Sequence, residues 1–481
     1  MAKKSTKVKP RISRGLRDLM PGQVLARQWM VERIRGVYER YGFLPLETPA
    51  IEYLDVLFGS EAGEEANKQI FRVSNPENEE LGLRFDLTVP LARVVAKYAQ
   101  ELGMPFRRYQ VAQVWRGDKP DPGRFREFMQ FDLDSVGVPS EIADTEVIAG
   151  ICDTLEALEV PRYRVRYSSR AILEVLVRWA GLPDSAGKDV FRVLDKLDKA
   201  GLEKVKLELT TGYKDDSGDV IKGLGLESSQ VEKIARFLAI GAEERTTAIE
   251  AVTELFGDTD GAAEAIAPVA SISRHLAALG YGDDRVAFDV SIARGLGYYT
   301  GPVFEANLLD APQFGSVFSG GRYDGLVARF SGQAIPAVGA SIGVDRLLAA
   351  LEHLGLVKTR KSTAQVLVTV FDKAMMDEYL ALTWELRREG INAELFLGSS
   401  KNMGKQLKYA DRREIPVALL FGPDEKEQGI VQLKDMDVGR RTTEEIENRE
   451  AWLEARPGQR DVPRDELIPT LKALLAQIEA S

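Results

Sequence analysis

The apolar positions change rhythm several times along the chain. From Pro21, Leu25, Trp29, Ile34, Val37 and Tyr41 recur near helical spacing, and Gly42 supplies a stop. FLPLETPAIEYLDVLF then reads as extended chain punctuated by proline. After the acidic PENEE, LGLRFDLTVPLARVVAKYAQELG predicts a strand ending near Asp86, then a helix with Pro90 in its first turn that stops at Gly103. The spans Arg108 to Trp115 and Phe125 to Asp134 show partial period-two alternation, which suits two antiparallel strands joined by a charged loop holding Pro120, Pro122 and Gly123. Further sheet-like pieces lie far downstream, in RVAFDVSIARGLGYYTGPVFEANL, FGSVFSGGRYDGL and AVGASIGVDRLLAALEHLG. A floor assembled from such distant strands is an antiparallel α+β arrangement.

Between these pieces, 175–283 is helical, charged and poor in glycine-rich motifs, so it reads as an inserted module. KDVFRVLDKLDKAGLEKVKLEL within it suggests ion pairing on solvated faces. After VKTRKSTA, strand-like AQVLVTVFD, INAELFLG, PVALLFG and GIVQLKDM alternate with the amphipathic DKAMMDEYLALTWELRREG and the basic KNMGKQLKYADRREI, which predicts a small α/β domain. The expected segmentation is 1–174, 175–283, 284–358, 364–446 and a terminal linker and helix at 447–481.

Composition narrows the function. The 481 residues suggest roughly three domains, and 44% hydrophobic with 29% charged residues is a soluble globular balance. A formal charge of −10 argues against a wholly basic nucleic-acid binder, yet leaves room for a large enzyme that holds RNA on local patches. The single Cys152 has no intrachain partner and there is no CxxC or Cys/His cluster, so a reducing, cytoplasmic setting is expected and a structural zinc is not. No apolar region follows the basic start, and no run of about 18 apolar residues argues for membrane insertion. His275 and His353 lie in helical apolar contexts, which sets histidine-based catalysis aside.

Arginine and carboxylate patterns carry the candidate chemistry. Arg116-Gly117-Asp118-Lys119 through Gly123-Arg124-Phe125-Arg126 is dense in cations, either a solvated hairpin tip or a grip on phosphate oxygens. Gln130, Asp132 and Asp134 share strand parity, and with Asp86 they suggest an ammonium-recognising pocket, because burying carboxylates without a cation is costly. Arg294-Gly295-Leu296-Gly297-Tyr298-Tyr299-Thr300-Gly301 sets an arginine beside a glycine-bounded tyrosine pair, one ring on each side of an extended chain. The stretches from Gly320 to Gly325 and from Gly339 to Arg346 repeat glycines beside an arginine, without P-loop or dinucleotide-fingerprint spacing.

Across nearly its whole length the chain resembles the histidyl-tRNA synthetase family, class II. The helix from Pro21 with LPLETP, Pro49 being its proline, resembles motif 1, the usual dimer element. VWRGDKPDPGRFREFMQFDLDSVG resembles motif 2, and GASIGVDRL resembles motif 3. ARGLGYYTGPVFE and FSGGRYDGL resemble the two histidine-specific stretches, and Ala364 to about Arg440 is similar to the anticodon-binding domain of several related synthetases. The resemblance implies an antiparallel-sheet catalytic domain in two parts around a helical insertion, followed by a C-terminal α/β anticodon-binding domain. It implies ATP-dependent ligation of L-histidine to tRNA(His) by a cytoplasmic homodimer, with Mg²⁺ beside ATP and no protein-bound metal or membrane contact.

Residue by residue, the resemblance assigns Arg116 and Arg346 to the ATP phosphates, Asp118 and Arg124 to the motif 2 end of the nucleotide, and Phe128 to a stack near adenine. Asp86, Leu87, Thr88 and Gln130 would hold the amino acid's ammonium group; Asp134 and Tyr299, with Tyr298 beside them, would address the imidazole. Arg294 would stand near the carboxylate and α-phosphate. Arg116, Arg294 and Arg346 form the catalytic set. Lys119 and Asp121 in the motif 2 tip, and Lys401, Lys405, Lys408 and Arg412 on the basic helix, are candidates for tRNA contact.

Several positions depart from the family pattern. Asp86 and Asp134 stand where many relatives have glutamate, Gly297 stands at an often acidic position, and the tip DKPDP differs from the common bacterial HERPQ form. That tip faces the acceptor end in the family, so dependence on an extra 5′ guanosine stays open. Three other readings compete. A silent regulatory paralogue would lack the C-terminal domain and part of the ligand set. Proline, threonine or glycine synthetases would lack the paired histidine-type stretches. A purely RNA-binding protein would leave three arginine/glycine patches without a purpose.

Overall fold

The structure is a computed structural model. It describes residues 8–58, 70–119, 125–215, 218–241, 244–293, 299–357, 359, 361–399, 402–438 and 458–479. The chain divides into two compact units, one of 1–18 with 29–357 and one of 19–28 with 358–481.

In the first unit the strands are β1 (Leu44–Pro45), β2 (Ile51–Tyr53), β3 (Arg72–Val73), β4 (Leu81–Leu83), β5 (Phe106–Trp115), β6 (Glu127–Val136), β7 (Tyr163–Ser169), β8 (Gly212–Lys214), β9 (Val220–Lys222), β10 (Val286–Phe288), β11 (Pro302–Leu308), β12 (Ser316–Arg322) and β13 (Ala337–Gly343). Eight of them form the main sheet, in the order β1-β5-β6-β13-β12-β11-β7-β10. The six central strands pair antiparallel, as the alternation predicts. Both edges differ from that expectation, since β1 runs parallel to β5 and β10 parallel to β7. The FLPLETP region is also less extended than its prolines suggest, because Leu54–Phe58 closes into a helix after β2.

One sheet face is apolar. Across neighbouring strands Tyr109, Leu133, Ala340, Gly320, Phe304 and Tyr167 lie in register, and beside them Val111, Phe131, Ile342, Phe318, Ala306 and Val165. Helices cover this face: Tyr38 from Pro21–Arg40 meets Phe131 edge-on at 5.0 Å, and Tyr167 donates to the Val269 carbonyl at 3.2 Å. The buried stripe of the first helix is Met30, Ile34, Val37 and Tyr38. Trp29 instead lies half-buried beneath the Arg33 guanidinium.

The inserted region is built from Gly187–Leu194, Leu202–Leu209, Ser228–Leu238, Arg245–Phe256 and Ala262–Ala278 with the small β8–β9 hairpin. Its core includes stacked Phe237 and Phe256, 5.7 Å apart. Both histidines sit in helices, His275 in Ala262–Ala278 and His353 in Val344–His353.

The second unit has β14 (Val366–Val368), β15 (Ala393–Leu395), β16 (Val417–Leu420), β17 (Ile430–Asp435) and β18 (Gln459–Pro463), ordered β15-β14-β16-β17-β18. The first three are parallel and the last two antiparallel. Its core runs past the expected boundary at 446: β18 pairs with β17, and Leu467, Leu471, Leu474 and Leu475 of the helix Leu467–Glu479 join the same cluster. Only Val462 of β18 is buried. An edge strand with one inward residue leaves no alternation to read in QRDVP.

Candidate active site

The other face of the main sheet is polar. Gln110, Asp132, Ser341, Ser319, Glu305 and Arg166 lie in register across six strands, a row that side-chain alternation alone puts on the face opposite Tyr109 and Phe131. The next row is Arg108, Asp134, Gly339, Gly321, Val303 and Ser168. Asp132, Asp134, Gln110 and Gln130 are all buried, and Arg108 is fully so.

Arg108 ties this floor together. Its Nη2 is 2.7 Å from Asp134 Oδ2 and donates to the Leu87 carbonyl at 3.1 Å. That carbonyl belongs to the segment entering Thr88–Leu102, a helix that packs its apolar side over one end of the face. Asp86 accepts from the Val89 amide at 3.1 Å, which steadies the helix start. The Tyr323 hydroxyl donates to Asp134 as well.

Two glycines make the space. A Cβ at Gly339 would stand 1.9 Å from Asp134 Oδ1, and one at Gly321 would stand 2.8 Å from the Tyr299 ring. Position 339 therefore admits only hydrogen while Asp134 keeps its place, and Tyr299 lies against a bare backbone at 321.

Burial raises the pKa of Asp86, Asp132 and Asp134. Asp132 is pushed up to about 7, with Arg108 opposing the shift and the neighbouring Asp134 adding to it. Asp134 is also raised by burial, against the pull of Arg108 and the Tyr323 hydroxyl. Asp86 is raised by burial, opposed by the Val89 amide and then by Arg116, Arg108 and Arg329. Several polar atoms of the floor have no hydrogen-bond partner among the described residues: Gln110 Oε1, Gln130 Oε1, Asp132 Oδ1, and Arg108 Nε and Nη1. Buried polar groups are nearly always paired, so such a cluster marks where a ligand belongs.

At the β5–β6 end of the face the groups are cationic and aromatic. Arg116 Nε donates to the Phe85 carbonyl at 3.0 Å, and its guanidinium carbon lies 5.2 Å from the centre of the Phe128 ring. Arg346 opens the helix Val344–His353 and donates to the Ser316 carbonyl at 2.9 Å. Asp345 next to it pairs with Arg17 at 2.6 Å and accepts the Met129 amide at 2.9 Å, binding the chain start and motif 2 strand to this helix. Arg17 also lies 3.7 Å over Phe125. Asp118 is half-buried and Lys119 exposed beyond β5.

Of the residues expected from sequence, Asp86, Leu87, Thr88, Arg116, Phe128, Gln130, Asp134, Tyr299 and Arg346 fall within the first unit, grouped on or around this face. Arg294, Tyr298, Arg124, Asp121 and Lys401 lie outside the described residues. Lys405, Lys408 and Arg412 are exposed on the helix Met403–Arg412 of the second unit, whose opposite side buries Gln406 and Ala410. Arg108, Gln110, Ser341, Tyr323 and Arg17 were missed. A signal existed for two of them, because steps of two back from Arg116 pass through Gln110 to Arg108 on one strand face. Among the described residues no cluster of three or more His, Cys, Asp or Glu could hold a metal, and no helix is long and apolar enough to cross a membrane.

The family model described as Histidyl-tRNA synthetase matches residues 15–347, and that described as Anticodon binding domain matches 365–456. A histidine–tRNA ligase of Rhizobium leguminosarum bv. trifolii is 44% identical over 98% of this chain and 96% of its own. One of Ruegeria sp. is 44% identical over 98% of each. Among solved structures, histidyl-tRNA synthetase from Nostoc sp. PCC 7120 superposes with a TM-score of 0.81 at 30% identity, covering 97% of this chain and 100% of that one. An ATP phosphoribosyltransferase regulatory subunit/histidyl-tRNA synthetase from Bacillus halodurans C gives 0.67 at 23% identity over 83% and 97%, a likeness of fold alone.

Proposed function

The chain belongs to the histidyl-tRNA synthetase family, and from that premise we propose how its own residues divide the work. It activates L-histidine with ATP and transfers the histidyl group to tRNA(His). In the first step a histidine carboxylate oxygen attacks the α-phosphorus, the bond to the departing pyrophosphate breaks, and histidyl-adenylate remains. In the second, the acyl group passes to the terminal ribose of the tRNA and AMP leaves.

Carboxylate and phosphate repel each other by about 4 kcal/mol at 4 Å in a partly screened site. Cations between them remove that obstacle and fix the line of attack, so positioning and electrostatics carry this first step without a general base, the carboxylate having no proton to lose. Arg116, Arg294 and Arg346 are the groups proposed for this. Phe128 would stack near adenine, with Arg124 and Asp118 at the motif 2 end. Mg²⁺ would arrive with ATP, held by phosphate oxygens, and supply further charge neutralisation.

At the amino-acid end, Asp86, Leu87, Thr88 and Gln130 would take the ammonium group. Asp134, already facing Arg108, would accept from the imidazole N–H beside Tyr298 and Tyr299. A carboxylate with its own cation can hold a neutral ring, because the contact adds no unbalanced charge. The buried floor of acids around Arg108, opposite an arginine- and aromatic-rich end, is the observation that carries the reading.

Lys119 and Asp121 are proposed at the acceptor end of the tRNA, and Lys401, Lys405, Lys408 and Arg412 against its backbone. A cytoplasmic homodimer is proposed as well. Its support is the open sheet edge at β1, where Leu44 is 59% exposed, with Ile51 and Tyr53 also exposed on β2.

Exchange of labelled pyrophosphate into ATP, run with each of the twenty amino acids, tests the assignment. Exchange with histidine alone is expected. Exchange driven by another amino acid would overturn the pocket, and none at all from folded protein would overturn the mechanism.

A further inference from the structure

We propose that Asp132, helped by Gln110, is a third substrate acid of this enzyme, beside Asp86 and Asp134, and supplies counter-charge for the histidine ammonium group. The inference rests on the synthetase reading and deepens it, since the family resemblance gives neither residue a role.

The hydrogen bonding around Asp132 is one-sided. Gln130 Nε2 donates to Ser341 Oγ at 2.5 Å, and the Ser341 hydroxyl hydrogen-bonds the Asp132 carboxylate. Gln110 Nε2 donates to Thr48 Oγ1 at 3.0 Å. Both amide nitrogens are thereby engaged by hydroxyls and both carbonyl oxygens are left over. With Asp132 Oδ1 they make three buried acceptors without a donor, on side chains that are 2% (Gln110), 7% (Gln130) and 2% (Asp132) exposed. Gln110 and Asp132 are cross-strand partners, and Gln130 stands two residues before Asp132 on the same face. An ammonium group brings three N–H donors and one positive charge, and matches this cradle in number and sign.

The charge count separates the two aspartates. Asp134 has Arg108 at 2.7 Å and the Tyr323 hydroxyl. Among the described residues Asp132 forms no ion pair. The charged groups facing it are Arg108 from β5, Asp134 on β6, Asp86 before the helix Thr88–Leu102, and Arg84, with the Tyr38 phenol behind the sheet. Arg84 is committed to the carbonyls of Thr48, Pro49 and Gln113. Arg108 makes its ion pair with Asp134 and Arg84 is held on backbone carbonyls, so the carboxylate of Asp132 is the one left for a cationic ligand to meet.

A consequence is proton-coupled binding. With its pKa raised to about 7 by burial, Asp132 is largely protonated in the empty site below that pH and must ionise to meet a cation. Ammonium recognition should therefore weaken as pH falls through about 7.

The test compares two probes by calorimetry on the full-length protein: histidinol, which carries ammonium and imidazole, and 3-(imidazol-4-yl)propan-1-ol, which lacks the ammonium. The ammonium group lowers the ring pKa of histidinol below that of the deamino probe, so each affinity is referred to the neutral-ring form of its probe, and the ratio then isolates the ammonium contact. We expect the wild type to prefer histidinol, the preference to shrink below pH 7, and Asp132→Asn to lose at least tenfold of it without weakening the deamino probe. Gln110→Met, which keeps the charge, should lose about two- to fivefold, and it stands in should Asp132→Asn fail to fold. Equal loss for both probes, no loss for either, or loss confined to the deamino probe would overturn the proposal. Wild-type protein that exchanges pyrophosphate with histidine yet shows no such preference sinks this inference alone. Protein that shows the preference without exchange sinks the synthetase reading instead.

Discussion

Two buried polar regions, one in each unit, solve the same problem differently. Gln406 in the second unit is fully buried, and its amide exchanges both hydrogen bonds with Val370, taking the N–H at 2.9 Å and giving to the carbonyl at 2.7 Å. Gln110 and Gln130 in the first unit are nearly as buried, yet each leaves its carbonyl oxygen without a partner. The sheets around them differ in the same sense. The second unit packs Val366, Leu367, Val368, Val417, Ala418 and Leu419 into an apolar core, whereas the main sheet of the first unit reserves one face for charges. A buried amide satisfied by its own backbone is part of the scaffold; one satisfied on a single side is waiting for something from solution.

If that contrast is right, substitutions on the polar face should damage chemistry far more than folding. The largest effect is expected for Arg116→Ala, with histidine-dependent exchange falling about 10²–10³-fold while the unfolding midpoint moves little. A large drop in midpoint with unchanged exchange in the surviving protein would make Arg116 a structural residue and break the distinction. Gly339→Ala should come next. Its Cβ cannot coexist with Asp134 Oδ1 at 1.9 Å, so Asp134 must turn away. The KM for histidine should then rise about 10–100-fold, as expected when 1–3 kcal/mol of binding is lost, and the KM for ATP should hold. Equal rises in both would mean the strand had shifted as a whole. The smallest effect is expected on the second unit. Lys405→Glu with Lys408→Glu should leave exchange untouched, raise the KM for tRNA several-fold and flatten its salt dependence. A change in exchange would show that the two surfaces are not functionally separate.

The sequence displayed this polar face only in part. Period-two alternation located the β5–β6 hairpin and put Gln130, Asp132 and Asp134 on one side, because that information is local. Which neighbours they meet is set by the register of β6 against β13, and no local pattern encodes a pairing between Asp132 and Ser341. Arg108 stayed hidden for a related reason: in FRRYQ it looks like one more surface cation, and only the closed sheet reveals it fully buried against Asp134. Asp132 was visible as a buried-acid candidate, but its difference from Asp134 comes entirely from where Arg108 and Tyr323 point. In the second unit, β18 escaped because an edge strand with a single inward side chain has no rhythm to detect.

The pairing of β6 with β13 also sets a timetable for synthesis. The hairpin is complete once Val136 has been made, but its next neighbour begins at Ala337, roughly 200 residues later. At about 5–20 residues per second, one edge of β6 is exposed on the ribosome for ~10–40 s. A strand left open that long invites pairing with the wrong chain, and acids on its inward side discourage it. The residues that would hold the amino acid in the finished enzyme thus protect the unfinished one, and catalytic competence arrives only when nearly the whole first unit has been translated.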